Sequence, residues 1–247
     1  MRTVAAIALA FIAAPGMAFP QGAGTLNPGT ATDLQRLDIV GPDTIAQLTK
    51  AAEGGHVESQ LRLGLLYQNG EDIKTGERVA RNSAEAIKWF GMAADQGNAT
   101  AQYKVGYALV TGEGLRQDYA RAVFWLRKAA DQRHAAAQAY LGTMYSLGQG
   151  GLSQSFEEAV QWFRKAADQG DLNGQAGLAG LYYHGSGVAK DLKEAMSWYR
   201  KAADKGHTLS QFNYGMFFYK GEGVAQNVDE ALKWIRKAAD RRFPSLT

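Results

Sequence analysis

The chain has 247 residues, with 27 lysines and arginines against 24 aspartates and glutamates, a formal charge of +3. That near balance gives no electrostatic case for a dedicated nucleic-acid binder, and the absence of cysteine excludes disulfides, thiolate metal sites and thiol nucleophiles. Hydrophobic residues make up 46%, which is ordinary for a globular chain and too many for a disordered one. All five prolines (Pro15, Pro20, Pro28, Pro42, Pro244) lie outside 43–242. A proline-free stretch of that length, rich in Ala, Leu, Lys and Gln, reads as helix throughout.

Residues 1–18 have the form of an export signal. Arg2 is a positive n-region, Thr3 to Ala14 an apolar h-region, and Gly16-Met17-Ala18 places small residues before a cleavage site after Ala18. The apolar run is too short for the roughly 20 residues of a spanning helix. The expectation is a mature protein in the bacterial periplasm, or secreted, with no stable membrane insertion. Residues 19–42, rich in Gly, Pro and Thr, read as a flexible linker.

From here the chain repeats itself. Five units align, over 56–97, 98–133, 134–170, 171–206 and 207–242. Each has a glutamine at its fifth position (Gln60, Gln102, Gln138, Gln175, Gln211) and a glycine ten residues later (Gly70, Gly112, Gly148, Gly185, Gly221). Four add a second glycine (Gly114, Gly150, Gly187, Gly223). The five tryptophans, Trp89, Trp125, Trp162, Trp198 and Trp234, fall in register. A period of this length is the mark of a solenoid.

Each unit parses into two helices. Helix A precedes the first glycine; its stripe is the small residue before Gln, Gln itself, and positions +3, +4 and +7 from it. A glycine at +4 weakens the helix by roughly 1 kcal/mol relative to Ala, a cost that close approach of a neighbouring helix would offset. The Gly-x-Gly segment turns the chain through positive φ. Helix B follows, as Tyr119 to Asp131, Phe156 to Asp168, Leu192 to Asp204 and Val228 to Asp240, burying Ala, Trp and the paired alanines. One hairpin cannot bury both of its faces, so stacking on neighbours is required. Residues 43–55 echo the end of a helix B and read as an N-terminal capping half-unit. Residues 243–247 form a C-terminal tail, leaving Trp234 and Ile235 expected to be partly exposed.

The unit, loosely A-x-Q-x-x-x-G-x-x-Y-x-x-G-x-G-V followed by D-x-x-x-A-x-x-W-x-x-K-A-A-D-x-G, resembles the Sel1-like repeat, a relative of the tetratricopeptide repeat. Unit four carries it most fully, from Gln175, Tyr182, Gly185, Gly187 and Val188 to Asp191, Ala195, Trp198 and Lys201-Ala202-Ala203-Asp204. The resemblance implies an all-α, right-handed α-solenoid of five such hairpins. It also implies an adaptor binding protein or peptide along a concave face lined by helix A. A regulator of envelope signalling, a cell-wall or β-lactam-acting enzyme and a secreted host-interaction factor are all readings that it admits.

No catalytic, cofactor-binding or metal site is expected. The Ser-x-x-Lys signature of penicillin-binding enzymes does not occur, and the Gly-x-Gly segments follow no strand. His56, His134 and His207 open three units, but a two-helix unit advances by roughly 15–20 Å at 8–10 Å per helix layer. They therefore cannot share one metal, and read as helix-junction residues. The pairs Arg127-Lys128, Arg164-Lys165, Arg200-Lys201 and Arg236-Lys237 read as a solvated face near helix C-termini. The loop 71–81 in unit one reads as a charged, projecting insertion. The candidate binding surface is the variable face of helix A: Tyr103, Tyr107, Tyr183, Phe212, Met216 and Tyr219, with Arg62, Lys104 and Tyr140 as its polar rim.

Overall fold

The structure is a computed structural model that describes residues 44–242; the expected signal peptide, the linker and the 243–247 tail lie outside the described residues. It contains α1 (Ile45–Glu53), α2 (Val57–Asn69), α3 (Ser83–Asp95), α4 (Ala99–Thr111), α5 (Tyr119–Asp131), α6 (Ala135–Leu147), α7 (Phe156–Asp168), α8 (Leu172–His184), α9 (Leu192–Asp204), α10 (Thr208–Lys220) and α11 (Val228–Arg242). Helices α2, α4, α6, α8 and α10 are the A helices, and α3, α5, α7, α9 and α11 the B helices. Among the described residues there is no strand, only one isolated bridge between Glu71 and Arg78.

The helix ends follow from side-chain chemistry. Each B helix from α3 to α9 starts at Asn82, Asp118, Ser155 or Asp191, whose side chain accepts a first-turn N–H. The A helices start at His56, Asn98, His134, Asp171 and His207. His56 and His134 cap through Nδ1, which accepts from the N–H of Ser59 at 3.2 Å and of Ala137 at 3.3 Å. Each A helix ends on its first glycine, held left-handed, with φ from 63 to 82°.

Two glycine positions set the packing. A Cβ on Gly64, Gly106 or Gly142, four residues after the glutamine, would fall 2.5–2.8 Å from Phe90, Leu126 or Phe163, the residue after the tryptophan. The missing side chain lets the A and B helices of one unit close up. The second turn glycine serves the next contact. A Cβ on Gly114, Gly150 or Gly187 would meet the backbone of Ser83, Tyr119 or Phe156, at 2.6, 2.5 and 2.3 Å. These are the first residues of the preceding B helix, so this turn seats one unit on the last.

The glutamine pins three helices together. Its Nε2 donates to a carbonyl near the end of the preceding B helix: Gln60 to Ala52, Gln102 to Ala94, Gln138 to Ala130, Gln175 to Ala167 and Gln211 to Ala203, at 3.0–3.4 Å. In units one to three its Oε1 accepts from the glutamine after its own B helix, Gln96, Gln132 or Gln169, at 2.7–2.8 Å. Helix α1 supplies Ala52 as a B helix would, and buries Leu48 and Ala52 against Leu63, Leu66 and Trp89. It is the capping half-unit.

Helices pack on their chain neighbours, as a solenoid requires. Beyond this, α6 and α8 touch directly, while no two successive B helices pack to that degree. Contact between successive A helices is what an inner, concave A layer would give. At the last unit, Ile235 is not exposed; it is buried with Phe212 and Ala238.

Candidate functional site

The inner surface is narrower than the sequence suggests. Ala139, Thr143 and Ser146 of α6 are buried. Thr143 and Ser146 turn their hydroxyls onto carbonyls of their own helix, Ala139 and Thr143. With Ala176 and Gly180 at the same repeat positions on α8, small side chains let two A helices meet and close the trough at its middle. The aromatic residues are left in two groups on either side.

The first group joins units two and three. Tyr103 and Tyr107 come from α4, one turn apart, and Tyr140 from α6. Tyr107 and Tyr140 meet edge to face at 5.6 Å, and Tyr103 lies 6.1 and 6.0 Å from them. His134 stacks on Tyr103 at 4.6 Å, so this helix cap is also part of the cluster. Tyr103 is buried, whereas Tyr107 and Tyr140 are half-buried. Burial and the Glu113 carboxylate push the Tyr107 phenol up. Burial, the two other tyrosines and Asp171 push Tyr140 far up. Both stay protonated and can donate hydrogen bonds at any physiological pH.

The second group joins units four and five. Tyr183 donates to Glu222 at 2.7 Å and accepts from Lys220 Nζ at 3.1 Å. Its ring meets Phe217 edge to face at 5.6 Å. Tyr219 stands apart, 43% exposed.

Four expected site residues sit elsewhere. Arg62 is not a rim residue: its Nε and Nη2 hold Asp72 at 2.7 and 2.5 Å, and its side chain is only 11% exposed. Lys104 is buried, with Nζ donating to Gln68 at 2.9 Å. Phe212 and Met216 pack on Ile235 and Ala238 of α11 instead of lining a trough.

The insertion is largely exposed but is anchored at its base. Asp72 is 2% exposed and accepts from the N–H of Lys74 and Thr75 as well as from Arg62. Burial pushes its carboxyl up, but the guanidinium and these N–H groups pull harder and hold it at about 2. Glu77 accepts from the N–H of Ile45 at 3.0 Å, at the start of α1, and Val79 joins the cluster of Leu48 and Trp89. The loop is a buckle fastening the capping helix to unit one.

The basic pairs are solvent-exposed except for half-buried Arg127, as the sequence predicts, and they also make contacts within the frame. The lysine lies over the tryptophan ring of its own helix, Lys165 over Trp162 at 4.1 Å, Lys201 over Trp198 at 3.7 Å and Lys237 over Trp234 at 4.1 Å. Arg127 and Arg164 reach the hydroxyls of Tyr145 and Tyr182 in the following unit. Among the described residues, no three His, Asp or Glu side chains gather as a metal site would need. No described helix is long and apolar enough to cross a membrane.

The sequence profile of the Sel1 repeat matches residues 57–98, 99–134, 135–171, 172–207 and 208–242. Among solved structures, a Sel1 repeat protein from Oxalobacter formigenes is 33% identical, with a TM-score of 0.70 over 78% of this chain and 74% of that one. A protective antigen of uropathogenic Escherichia coli is 35% identical, with a TM-score of 0.65 over 79% of this chain; the match spans 40% of the antigen's length. An immunity protein of Pseudomonas aeruginosa shares the fold at 19% identity, with a TM-score of 0.50 over 90% of this chain and 83% of that one. No protein of curated function matches the chain in sequence. With five successive repeats matched across 57–242, the chain belongs to the Sel1 repeat family.

Proposed function

We propose that the chain is an exported, non-catalytic scaffold that binds a segment of another envelope protein in the inner trough, at the tyrosine cluster of units two and three. The Sel1 fold commonly serves as a protein-interaction scaffold. The observation that carries the finer reading is the half-buried pair Tyr107 and Tyr140, contributed by two successive A helices and meeting at 5.6 Å. Neither repeat position is fixed by the Gln, Gly and Trp frame. Paired phenols offer rigid apolar area and a hydrogen-bond donor at little entropic cost, the chemistry of interface hot spots. The surroundings suit a peptide, since α6 and α8 carry no Asp, Glu, Lys or Arg. Export rests on residues 1–18, and a regulatory role in envelope signalling on the family resemblance.

Two measurements test this reading. Tagged mature protein incubated with envelope extract retains a defined partner, and Tyr107→Ala lowers its recovery at least fivefold while Gln161→Ala on the outer surface does not. Equal recovery removes the trough from the account. N-terminal sequencing of the periplasmic fraction gives Phe19 as the first residue; a full-length cytoplasmic product refutes export. The likeness to a protective antigen favours a second reading, a secreted host-interaction factor, which detection in culture medium instead of periplasm would support.

A further inference from the structure

The five B helices provide an internal control for the outer surface. Four residues before the tryptophan stand Glu85, Arg121, Glu158, Glu194 and Glu230; one before it stand Lys88, Phe124, Gln161, Ser197 and Lys233. In units one and five these positions close an ion pair, Glu85 with Lys88 at 3.5 Å and Glu230 with Lys233 at 3.1 Å. Unit two alone replaces the acid by arginine and the polar residue by phenylalanine. Phe124 is 53% exposed, the highest value among the exposed large apolar residues of the described part. Lys128, one turn on, places Nζ 4.6 Å over that ring and 5.2 Å over Trp125. Arg121 and Lys128 are exposed. Among the described residues, neither has a carboxylate within ion-pair distance. α5 is also without an acidic residue in its first turn, unlike α3, α7, α9 and α11.

Residues at positions i, i+3 and i+7 share one helix face. We infer that Arg121, Phe124 and Lys128 form a second docking surface, on the outer side of the solenoid, for an acidic protein segment carrying an apolar side chain. The two unpaired cations supply charge complementarity to carboxylates, and the exposed phenyl ring supplies the apolar contact between them. Units three and four keep the acid, Glu158 and Glu194, with a polar residue, Gln161 and Ser197, so unit two alone departs in both charge and polarity. The site is independent of the inner trough, so one surface can be lost without the other.

The test uses mature protein and a fluorescein-labelled twelve-residue peptide alternating Glu with Phe and Leu. Fluorescence anisotropy at low salt shows saturable binding. Arg121→Glu and Phe124→Ser each weaken it at least fivefold, with the helical circular dichroism spectrum and thermal midpoint unchanged. Rebuilding the patch in unit three with Glu158→Arg plus Gln161→Phe, beside the existing Lys165, raises the stoichiometry from one peptide to two. Absence of binding, or binding that ignores both single substitutions, overturns the proposal. So does equal or stronger binding to vesicles of 30% phosphatidylglycerol in phosphatidylcholine that the same substitutions abolish, since the patch would then serve a lipid surface.

Discussion

The repeat glutamines are chemically identical but not identically satisfied. The side chain of Gln138 makes two hydrogen bonds, donating to Ala130 O at 3.0 Å and accepting from Gln169 at 2.7 Å. That of Gln175 makes one long bond, to Ala167 O at 3.4 Å. Its Oε1 is buried without a donor, because Lys205 stands where the earlier units have Gln96, Gln132 and Gln169. A net hydrogen bond contributes about 1 kcal/mol, and Ala130 O keeps a second donor, Arg133 N–H. Gln138→Leu is therefore expected to destabilise by about 2 kcal/mol. Gln175→Leu loses one weak bond and relieves an unsatisfied acceptor, so it costs less than about 1 kcal/mol. Lys205→Gln supplies the missing donor and stabilises by about 1 kcal/mol; in that background Gln175→Leu costs what Gln138→Leu costs. Urea denaturation followed at 222 nm measures all four variants, with an unchanged m-value showing that the same structure unfolds. Equal costs for Gln138→Leu and Gln175→Leu in the native background would refute this account of the frame.

Three further outcomes follow from the same coordinates. Burial lowers His207 from 6.5 to about 4. The unfolded chain therefore binds the extra proton between those values, and a contribution of about 3 kcal/mol, present above pH 6.5, is lost as pH falls towards 4; His207→Asn flattens the urea stability profile across that window. Asp72, held at about 2 against an ordinary 3.8, contributes stability above pH 3.8 that is lost as pH falls through 2; Asp72→Asn leaves Arg62 uncompensated, costs about 3 kcal/mol at pH 7 and raises hydrogen exchange in α1. Gly187→Ala, at φ +68° with Cβ 2.3 Å from the backbone of Phe156, destabilises by about 3 kcal/mol or more. Gly151→Ala, at φ +81° in open space, costs only about 1 kcal/mol, and thermal melts separate the two.

The architecture was legible because most frame residues do the same physical task from unit to unit. Gln donates to the same carbonyl in all five units, and the +4 glycines Gly64, Gly106 and Gly142 meet Phe90, Leu126 and Phe163, with unit four departing at Ala179. The binding surface was only partly legible, because a repeat position fixes a direction and not a neighbour. Tyr103 and Phe212 share a position, yet one stacks on His134 and the other packs on Ile235. Arg62 and Lys104 looked solvent-facing because nothing in the helical periodicity shows Asp72 folding back beneath the insertion, or Gln68 reaching across from unit one. The lysines three residues after Trp125, Trp162, Trp198 and Trp234 are surface charges as read, but the ring that each covers in its own helix was not legible, a contact decided by rotamer instead of spacing.

Site-specific photo-crosslinking at Tyr107 tests the central claim most directly. With p-benzoylphenylalanine at position 107 of the exported protein in its own cells, irradiation is expected to give one partner adduct, and the same probe at exposed Ser197 on α9 none. No adduct at 107, or the same adducts at both positions, would contradict a scaffold that holds its partner in the inner trough.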